Sequence, residues 1–281
     1  MQIYNNINNL KLALNLFRLE KKSIGFVPTM GALHSGHLSL VKESLINNGV
    51  TVTSIYVNPT QFNDKNDLKN YPRNFKQDCD LLESSGCDIV FSPNDNEMYP
   101  VPDTRIFDFG PIANVMEGKH RPGHFNGVAQ IVTKLFDAVQ PDCAYFGQKD
   151  FQQLSIIRKF VQDLNYPIKI IACPIFREND GLAMSSRNLL LGENERKAAP
   201  LIFKTLTKAK EKSKTANMVE VSRWVEQSIN ENSFLKLEYF EMVNTFSLLP
   251  VTNISGKEPI TACIAVFAGK VRLIDNIDFI S

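Results

Sequence analysis

The sequence predicts an α/β protein in which an open, doubly wound parallel sheet is followed by a smaller α+β domain. Three observations indicate this. From Ser23 onward, short apolar runs end in turn residues, which is typical of strands buried in a parallel sheet. Amphipathic helical patterns alternate with these runs as far as Pro174. Beyond Pro174, two Lys-rich helical stretches come first and strand-like runs follow them.

The elements of the first domain justify the parallel sheet. The run 24–28 is the first strand, and Leu38, Val41 and Leu45 then form the apolar stripe of a helix packed on a sheet. The run 50–57 is the second strand, which completes a βαβ unit. The further predicted elements are a helix at 75–84, a strand at 88–91, a helix at 127–139, a strand at 143–146, a helix at 149–164 and a strand at 168–173.

The last third of the chain has a different order of elements. Helices are predicted near 193–212 and 218–230, and strands at 237–243, 262–267 and 271–277 follow them as a small antiparallel sheet. We place the domain boundary at residue 175, so that residues 1–175 form the first domain and residues 176–281 the second.

Composition and charge exclude several classes of protein. With 281 residues, 43% hydrophobic and 22% charged, the chain has the composition of an ordinary globular protein. The 31 Lys and Arg against 30 Asp and Glu provide no bulk attraction for nucleic acid or an anionic membrane. The five cysteines form no C-x-x-C pair, and the first residues do not resemble a secretory signal. We therefore expect a cytoplasmic protein without disulfides.

The turn between the first strand and its helix is the first candidate site. It holds two of the four histidines, His34 and His37. A glycine-rich βα turn brings main-chain N–H groups and a helix N-terminus to one point, which suits phosphate, and His37 can reach the same phosphate from the first helical turn. Gly31 and Gly36 have P-loop spacing, but His37 and Leu38 replace the Lys-Ser/Thr pair, so a Walker-type mechanism is disfavoured.

Two other interpretations of this turn stay open. In the first, the glycines only permit a tight turn, and the histidines are ordinary polar residues at a helix start. In the second, His34, His37, His120 and His124 supply four imidazoles to a zinc ion, which the metal content of the purified protein would test.

Three further segments carry polar groups at predicted strand ends or in the interdomain loop. Asn58 and Gln61 offer amide groups to a small polar substrate. Lys149 follows a Gly turn and supplies a cation. Residues 185–187, two serines and an arginine, can form a flexible polyphosphate clamp. Each alone also has an ordinary explanation, namely an Asn-Pro turn, a solvated lysine or a capped helix start.

Taken together, these segments resemble the pantothenate synthetase family of the nucleotidylyltransferase superfamily, which is related to class I aminoacyl-tRNA synthetases. Six motifs occur in order and cover most of residues 24–190. They are Pro28-Thr-Met-Gly-Ala-Leu-His-x-Gly-His37, Val57-Asn-Pro-x-Gln-Phe62, Tyr71-Pro-Arg73, His124-Phe-x-Gly-Val128, Phe146-Gly-x-Lys-Asp-x-x-Gln153 and Asp180-Gly-Leu-Ala-Met-Ser-Ser-Arg-Asn188. A single motif would be weak evidence, but six in sequence are highly specific.

The resemblance implies a Rossmann-like, nucleotidylyltransferase-like fold and an ATP-dependent ligase. Such an enzyme joins pantoate to β-alanine through an enzyme-bound pantoyl adenylate, releases AMP and pyrophosphate, and serves coenzyme A biosynthesis. The resemblance also implies a homodimer that binds its three small-molecule substrates and neither nucleic acid nor membrane. The second domain would act as a mobile lid over ATP.

The same resemblance assigns the site residues. The catalytic residues are His34, His37, Lys149 and Arg187. The ATP-binding residues are Met30, Gly31, Ala32, Leu33, His34, Ser35, Gly36, His37, Gly147, Gln148, Lys149, Asp150, Phe176, Met184, Ser185, Ser186 and Arg187. Gln61, Gln153 and Asn58 would bind pantoate and β-alanine. Mg²⁺ is expected with ATP, and Asp78 is the carboxylate proposed to hold it.

Two rival functions are weighed against this one. A related nucleotidylyltransferase or adenylating enzyme could act on another small carboxylate. A catalytically silent nucleotide-binding module is disfavoured because binding alone does not require His37, Lys149 and Arg187 together. A tRNA-acylating enzyme is disfavoured because the near-neutral charge and modest length leave little room for a basic surface.

Overall fold

The computed structural model describes residues 1–251 and 258–280, and the chain divides into two compact units. The first unit comprises Met1–Phe109, Arg121–Gln148 and Ile156–Pro174, and the second comprises Gly110–His120, Lys149–Ser155 and Ile175–Ser281. Two segments that lie before residue 175 therefore belong to the second unit. No single boundary along the sequence separates the two units.

The described residues contain eleven α-helices and nine strands, which short 3₁₀ turns and loops connect. In chain order they are β1 Gln2–Tyr4, α1 Ile7–Leu19, β2 Ile24–Thr29, α2 Ser35–Asn47, β3 Val50–Ile55, α3 Lys65–Asn70, α4 Phe75–Ser84, β4 Ile89–Phe91, α5 Asp95–Met98, α6 Met116–His120, α7 His124–Val139, β5 Cys143–Gly147, α8 Phe151–Asp163, β6 Lys169–Cys173, α9 Glu193–Ala198, α10 Leu201–Lys212, α11 Met218–Asn230, β7 Leu235–Asn244, β8 Ile260–Ala268 and β9 Val271–Ile280.

The first unit is built on a six-stranded parallel sheet in the order β1-β4-β3-β2-β5-β6. This confirms the predicted doubly wound α/β fold. Successive strands are added to one side of β2 as far as β4 and then to its other side from β5 onward, so the switch point lies between β2 and β5. In such sheets ligands bind outside the carboxyl ends of the strands at the switch point.

Strand β2 pairs over a different length with each of its two neighbours, β3 and β5. With β3, β2 pairs along all six residues from Ile24 to Thr29. With β5, it pairs only at Gly25–Cys143 and Phe26–Ala144. The two strands thus lose their ladder before they end, and the residues that follow Thr29 and Gly147 leave the sheet on either side of this opening.

Close packing of α2 against β2 places the first turn of that helix. A Cβ atom added to Gly25 would overlap Ser44 Oγ and lie 2.5 Å from Asn48 Nδ2, so only glycine fits beneath the helix. Ser44 Oγ hydrogen-bonds Thr51 Oγ1 of β3 at 2.8 Å, which ties the helix to a second strand. Every residue of β3 is buried, as expected for a central parallel strand.

The second unit contains the predicted antiparallel sheet, in the order β7-β8-β9, with α10 and α11 contributing to the same apolar core. A buried ion pair joins the segment around α6 to this sheet. Arg272 donates from Nη1 and Nη2 to the Glu117 carboxylate at 2.7 and 2.6 Å, and Tyr239 OH donates to it at 2.8 Å. Burial, with Glu117 beside it, raises the pKa of Tyr239 well above its ordinary value.

Most predicted elements are confirmed, and the differences have local causes. The helices α4 and α11 have the predicted bounds. The helix predicted over 193–212 is two helices, with Pro200 as the N-cap of the second, because proline lacks the N–H that a continuous helix needs. The helix predicted over 149–164 begins with a 3₁₀ turn, Gln148–Asp150. The sequence patterns did not predict the three-residue edge strand β1 or the helix α1.

The helices are also too short or too polar to cross a bilayer. None in the described part of the chain combines the length and the apolar character that crossing requires.

Gly25→Ala is expected to lower the free energy of unfolding of the first unit by about 1–3 kcal/mol, because the added methyl group overlaps Ser44 and Asn48. Urea denaturation followed by circular dichroism would measure the shift. Gly147→Ala is the matched control, since a Cβ at Gly147 meets no atom within 4 Å. Equal midpoints for the two variants would contradict the close approach of α2 to β2.

Candidate active site

The turn after β2 adopts an unusual backbone conformation. Gly31 and Ala32 have φ values of +79° and +50°, in the left-handed region that disfavours residues with a Cβ. Thr29 anchors one end of the turn, because its Oγ1 accepts from the N–H of Gly31 at 3.2 Å and donates to Ser54 O at 2.6 Å. Asp78 anchors the other end and accepts from the N–H of Ala32 at 2.9 Å and of Leu33 at 2.7 Å.

These hydrogen bonds bear on the prediction that main-chain N–H groups of this turn bind phosphate. Six N–H groups between Gly31 and His37 are already used inside the protein, by Thr29 Oγ1, the two Asp78 oxygens, His37 Nδ1, His34 Nδ1 and His34 O. A P-loop, in contrast, presents such N–H groups to the ligand. Contacts from this turn to an anion therefore depend on side chains more than the glycine spacing suggested.

The two histidines cap helix α2 in a reciprocal arrangement. His34 is the N-cap, and its Nδ1 accepts from the N–H of Gly36 at 3.2 Å. His37, at the N3 position, accepts on Nδ1 from the N–H of His34 at 3.4 Å. The ring centroids lie 4.0 Å apart. Because both Nδ1 atoms are acceptors, each neutral ring carries its hydrogen on Nε2, which makes Nε2–H the donor of both imidazoles.

Asp78, the predicted magnesium ligand, contacts the main chain of the turn after β2. The residue is only 2% exposed, and each of its oxygens accepts a main-chain N–H of the turn. Both oxygens of this buried carboxylate are therefore engaged with the main chain of the turn. Within residues 1–251 and 258–280, no group of three or more His, Cys, Asp and Glu side chains is placed to hold a metal ion. Asp78 thus anchors the turn, and its assignment as a magnesium ligand stays a prediction.

Asn58 is held by hydrogen bonds to the protein groups around it. Its side chain is 1% exposed, and Nδ2 donates to Gly127 O at 3.1 Å and to Gln61 Oε1 at 3.2 Å. Its Oδ1 accepts from Tyr99 OH at 2.7 Å and from Thr60 Oγ1 at 3.2 Å. The amide is satisfied by protein groups, and the assignment of Asn58 as a substrate ligand stays a prediction.

The side chain of Gln61 contacts the turn that carries His34 and His37. Its Nε2 lies 3.0 Å from the sulfur of Met30, the first residue after β2, while its Oε1 is oriented by Asn58. Gln61 is only partly buried. Of the proposed substrate residues in the first unit, it is the one with an amide still available beside the turn.

His124, considered above only for the zinc interpretation, and Gly127, which was given no role, both lie in a quoted motif. His124 Nδ1 lies 2.8 Å from Gln61 O, and Arg121 Nη1 lies 3.2 Å from His124 Nε2. Since guanidinium only donates, Nε2 accepts and Nδ1–H donates to Gln61. A Cβ on Gly127 would overlap Thr60 O, so glycine lets the 3₁₀ turn Pro59–Gln61 lie on α7. The spacing of the His-Phe-x-Gly motif is the sequence feature that could have indicated these contacts of His124 and Gly127.

The residues that precede the predicted polyphosphate clamp form a hairpin in the second unit. Met184 N donates to Phe176 O at 2.9 Å, and Glu178 N donates to Leu182 O at 2.8 Å. The Arg177 guanidinium lies 3.6 Å from the centre of the Phe203 ring and donates to both Asp275 oxygens at 2.7 and 2.9 Å. Burial raises the pKa of Asp275, and Arg177 opposes that shift.

Two serines and an arginine follow this hairpin. Ser185 is the N-cap of the 3₁₀ helix Ser186–Leu190, and its hydroxyl accepts from the N–H of Arg187 at 3.3 Å. Ser186 is 5% exposed, and Arg187 is partly buried. Asn188 Nδ2 donates to Glu178 Oε1 at 2.9 Å, which attaches the 3₁₀ helix to the hairpin.

The segment after β5 supplies the lysine of the second unit. Lys149 Nζ lies 3.8 Å from Asp150 Oδ1, and its side chain is 18% exposed. The Lys149 carbonyl accepts from Asn276 Nδ2 at 3.0 Å, which joins this 3₁₀ turn to β9. Gln153 is partly buried on α8, next to Gln152, which holds Ile112 O and Val115 O.

The structure therefore brings the predicted residues together as two sets, one in each unit. In the first unit, the turn from Met30 to His37 lies with Gln61, Asn58 and Asp78, and Gly147 and Gln148 follow β5 across the switch point. The second unit holds Lys149, Asp150, Gln153, Phe176, Met184, Ser185, Ser186 and Arg187.

Comparison with known proteins relates this chain to one family. A family model described as pantoate-beta-alanine ligase matches residues 2–278. Pantothenate synthetase of Bacteroides thetaiotaomicron is 53% identical over 279 residues, which are 99% of each chain. Pantothenate synthetase of Caldicellulosiruptor bescii is 46% identical over 279 residues, covering 99% of this chain and 98% of the relative.

Solved structures are similar over the same length. Pantothenate synthetase from Thermus thermophilus has a TM-score of 0.92 with 38% identity and full coverage of both chains. A pantoate-beta-alanine ligase from Francisella tularensis, complexed with beta-gamma ATP and beta-alanine, has a TM-score of 0.84 with 37% identity, covering 99% of this chain and 98% of that one. The chain belongs to the pantoate-beta-alanine ligase family.

Proposed function

We propose that this chain condenses pantoate with β-alanine at the expense of ATP, forming pantothenate, AMP and pyrophosphate through a pantoyl adenylate. The observation that carries the proposal is the pair of imidazoles at the sheet's switch point, both with Nε2 as the donor and with Gln61 beside the same turn. Such an arrangement suits an anionic nucleotide next to a small polar acid. Family membership and the two ligands of the Francisella complex agree with it.

The first step requires no general base. The carboxyl group of pantoate, with a pKa of roughly 4, is ionised at neutral pH. A carboxylate oxygen attacks the α-phosphorus of ATP, the new O–P bond forms, and the bond to pyrophosphate breaks. The enzyme must overcome repulsion between anions and stabilise the charge that develops on phosphate oxygens. We assign this task to the Nε2–H groups of His34 and His37, and the hydrogen bond to the leaving side to His37.

Residues of the second unit would bind the remaining phosphates. Lys149 and Arg187 supply the cations, and Ser185 and Ser186 supply hydroxyl donors, for the β- and γ-phosphates and the departing pyrophosphate. The hairpin before them is fixed by ion pairs and hydrogen bonds, so these donors are ordered in advance. Order of this kind reduces the entropy that binding must remove. Phe176, which is 43% exposed, and Gly147 to Asp150 would frame the adenosine.

In the second step, the neutral amine of β-alanine attacks the acyl carbon of the adenylate. The C–N bond forms, the C–O bond to AMP breaks, and the proton of the amine leaves to solvent or phosphate. Gln61 and Gln153 would hold pantoate in this step, and Gln61 would also contact β-alanine. Exclusion of water protects the adenylate from hydrolysis, a role we assign to the second unit as a lid.

The metal is proposed to enter with the nucleotide. The described residues offer no carboxylate cluster for a resident ion, and Asp78 is committed to the turn. Mg²⁺ commonly keeps several water ligands and binds substrate phosphates. A homodimer and a cytoplasmic location remain predictions from the family resemblance.

ATP–pyrophosphate exchange should require pantoate. With pantoate, we expect exchange at least tenfold faster than with other small hydroxy acids, because Gln61 and its neighbours are arranged around one acid. Radiolabelled pyrophosphate incorporation measures it, and the assay without β-alanine isolates the first step. Equal exchange with every acid would support a related nucleotidylyltransferase and sink the pantoate assignment.

His37→Ala and Lys149→Ala should lower kcat about 100- to 1000-fold, the usual loss for one donor that stabilises developing charge. ATP affinity should change much less, since these groups act mainly in the transition state. AMP formation and nucleotide binding are measured separately. Lys159→Ala, which removes an exposed lysine paired with Asp163, is the control. Parallel losses in rate and affinity would favour a nucleotide-binding module.

Gln61→Ala should raise the KM for pantoate tenfold or more while leaving ATP binding nearly unchanged, because the lost amide faces the acid and not the nucleotide. Gln162→Ala, an exposed glutamine on α8, is the matched control. Steady-state kinetics with each substrate varied in turn would measure the effect. A selective loss of ATP affinity in Gln61→Ala would contradict the assignment.

A further inference from the structure

A buried carboxylate lies directly beneath the turn that carries the two histidines. Asp78 stands in the first turns of α4, and its own N–H donates to Asn74 O at 2.9 Å. Its side chain accepts the N–H groups of Ala32 and Leu33, which immediately precede the N-cap of α2. Hydrogen bonds to an ionised acceptor are stronger than those between neutral groups. The carboxylate therefore connects α4 to the start of α2.

The turn needs such an anchor because its backbone is unfavourable without one. Ala32 has a Cβ but a φ of +50°, and Gly31 precedes it at +79°. A residue other than glycine holds this conformation only where its surroundings impose it. The two bonds to Asp78 fix the peptide planes on either side of Ala32. A Cβ on Gly31 would lie 2.9 Å from Asp78 Oδ2, so the glycine permits this close approach.

The anchor sets the geometry of the imidazoles through the capping arrangement. With Leu33 fixed, His34 is held as N-cap, and the bonds from Gly36 N–H to His34 Nδ1 and from His34 N–H to His37 Nδ1 can form together. These bonds hold both rings in the tautomer with hydrogen on Nε2. Loss of the anchor frees Ala32 to leave the left-handed region, which moves His34 out of the cap position.

The charge of the carboxylate has a second effect on ligand binding. Two N–H groups that a glycine-rich turn would otherwise offer to a phosphate are taken by Asp78. A negative charge beneath the turn also repels an anion that approaches those groups. The nucleotide is thereby directed to the histidine side chains.

We infer that Asp78 is a positioning residue of the adenylation step: it holds the strained turn and reserves anion binding for the Nε2–H groups of His34 and His37. This inference rests on the proposed function. Asp78 itself touches neither substrate nor metal in this account.

Asp78→Asn is the direct test, because asparagine has the same shape but replaces one acceptor with an N–H₂ that faces a main-chain N–H. We expect kcat for ATP–pyrophosphate exchange to fall 10- to 100-fold with the KM for pantoate within twofold of wild type. Asp142→Asn is the matched control. Asp142 also accepts a main-chain N–H of β2, from Ile24 at 2.7 Å, but at the opposite end of that strand, and it should leave exchange unchanged.

A double-mutant comparison separates positioning from general damage. If Asp78 acts through His37, the variant His37→Ala/Asp78→Asn should be no more than about threefold slower than His37→Ala alone, since the second change acts on a group already removed. Full multiplication of the two losses would overturn the inference.

Histidine ¹⁵N spectra give a readout that does not depend on turnover. In wild type, His34 and His37 should show the Nε2–H tautomer, and in folded Asp78→Asn these two rings should lose it while His120 and His124 keep their signals. Unchanged signals for His34 and His37 would overturn the inference. If pantoate supports no exchange in wild type, the proposed function fails, but these spectra still decide the role of Asp78.

Amide exchange on the wild-type protein keeps the test open if Asp78→Asn does not fold. The N–H groups of Ala32 and Leu33 should be protected without ligand, and ATP should change their exchange rates less than twofold. A large gain of protection on adding ATP would mean that these groups bind phosphate, and the inference would be wrong.

Discussion

The separation of β2 from β5 is the constraint on which the rest of the first unit depends. Parallel strands require long crossover connections, and these connections place every carboxyl end at one edge of the sheet. Because the winding reverses between β2 and β5, the connection after β2 leads to β3 and the connection after β5 leads to β6, on opposite sides of the opening. The ladder between the two strands stops after Phe26–Ala144, and the residues after Thr29 and Gly147 border the gap. The candidate site lies there for topological reasons.

At that edge of the sheet, polar groups that are already hydrogen-bonded within the protein are less available to a ligand than those that are not. Buried polar groups are almost always paired, and the main-chain N–H groups of the turn after β2 are paired within the protein. Asn58 is satisfied in the same way. We therefore assign the proposed chemistry beside the turn to the imidazole and Gln61 side chains. This fits a reaction in which a weakly basic nucleophile is already ionised and charge stabilisation is the main task.

In the second unit, buried ion pairs hold the chain segments in place. Its hairpin is held by the bidentate pair between Arg177 and Asp275, and its 110–120 segment by the buried pair between Glu117 and Arg272. Removing one partner from such a pair leaves an uncompensated buried charge, which is strongly destabilising. These interactions order the segment that carries Ser185, Ser186 and Arg187.

The sequence by itself determined the strand and helix alternation and the order of the motifs, because these depend on local pattern and residue type. The helices α4 and α11 were predicted at their observed bounds for that reason. Only the tertiary structure decided which protein groups Asp78 and Asn58 contact, since a carboxylate and an amide can accept or donate to many partners. Their partners, Ala32 and Leu33 for the one and Gly127 for the other, lie more than 40 residues away along the chain. No local pattern records which donors a buried acceptor will meet.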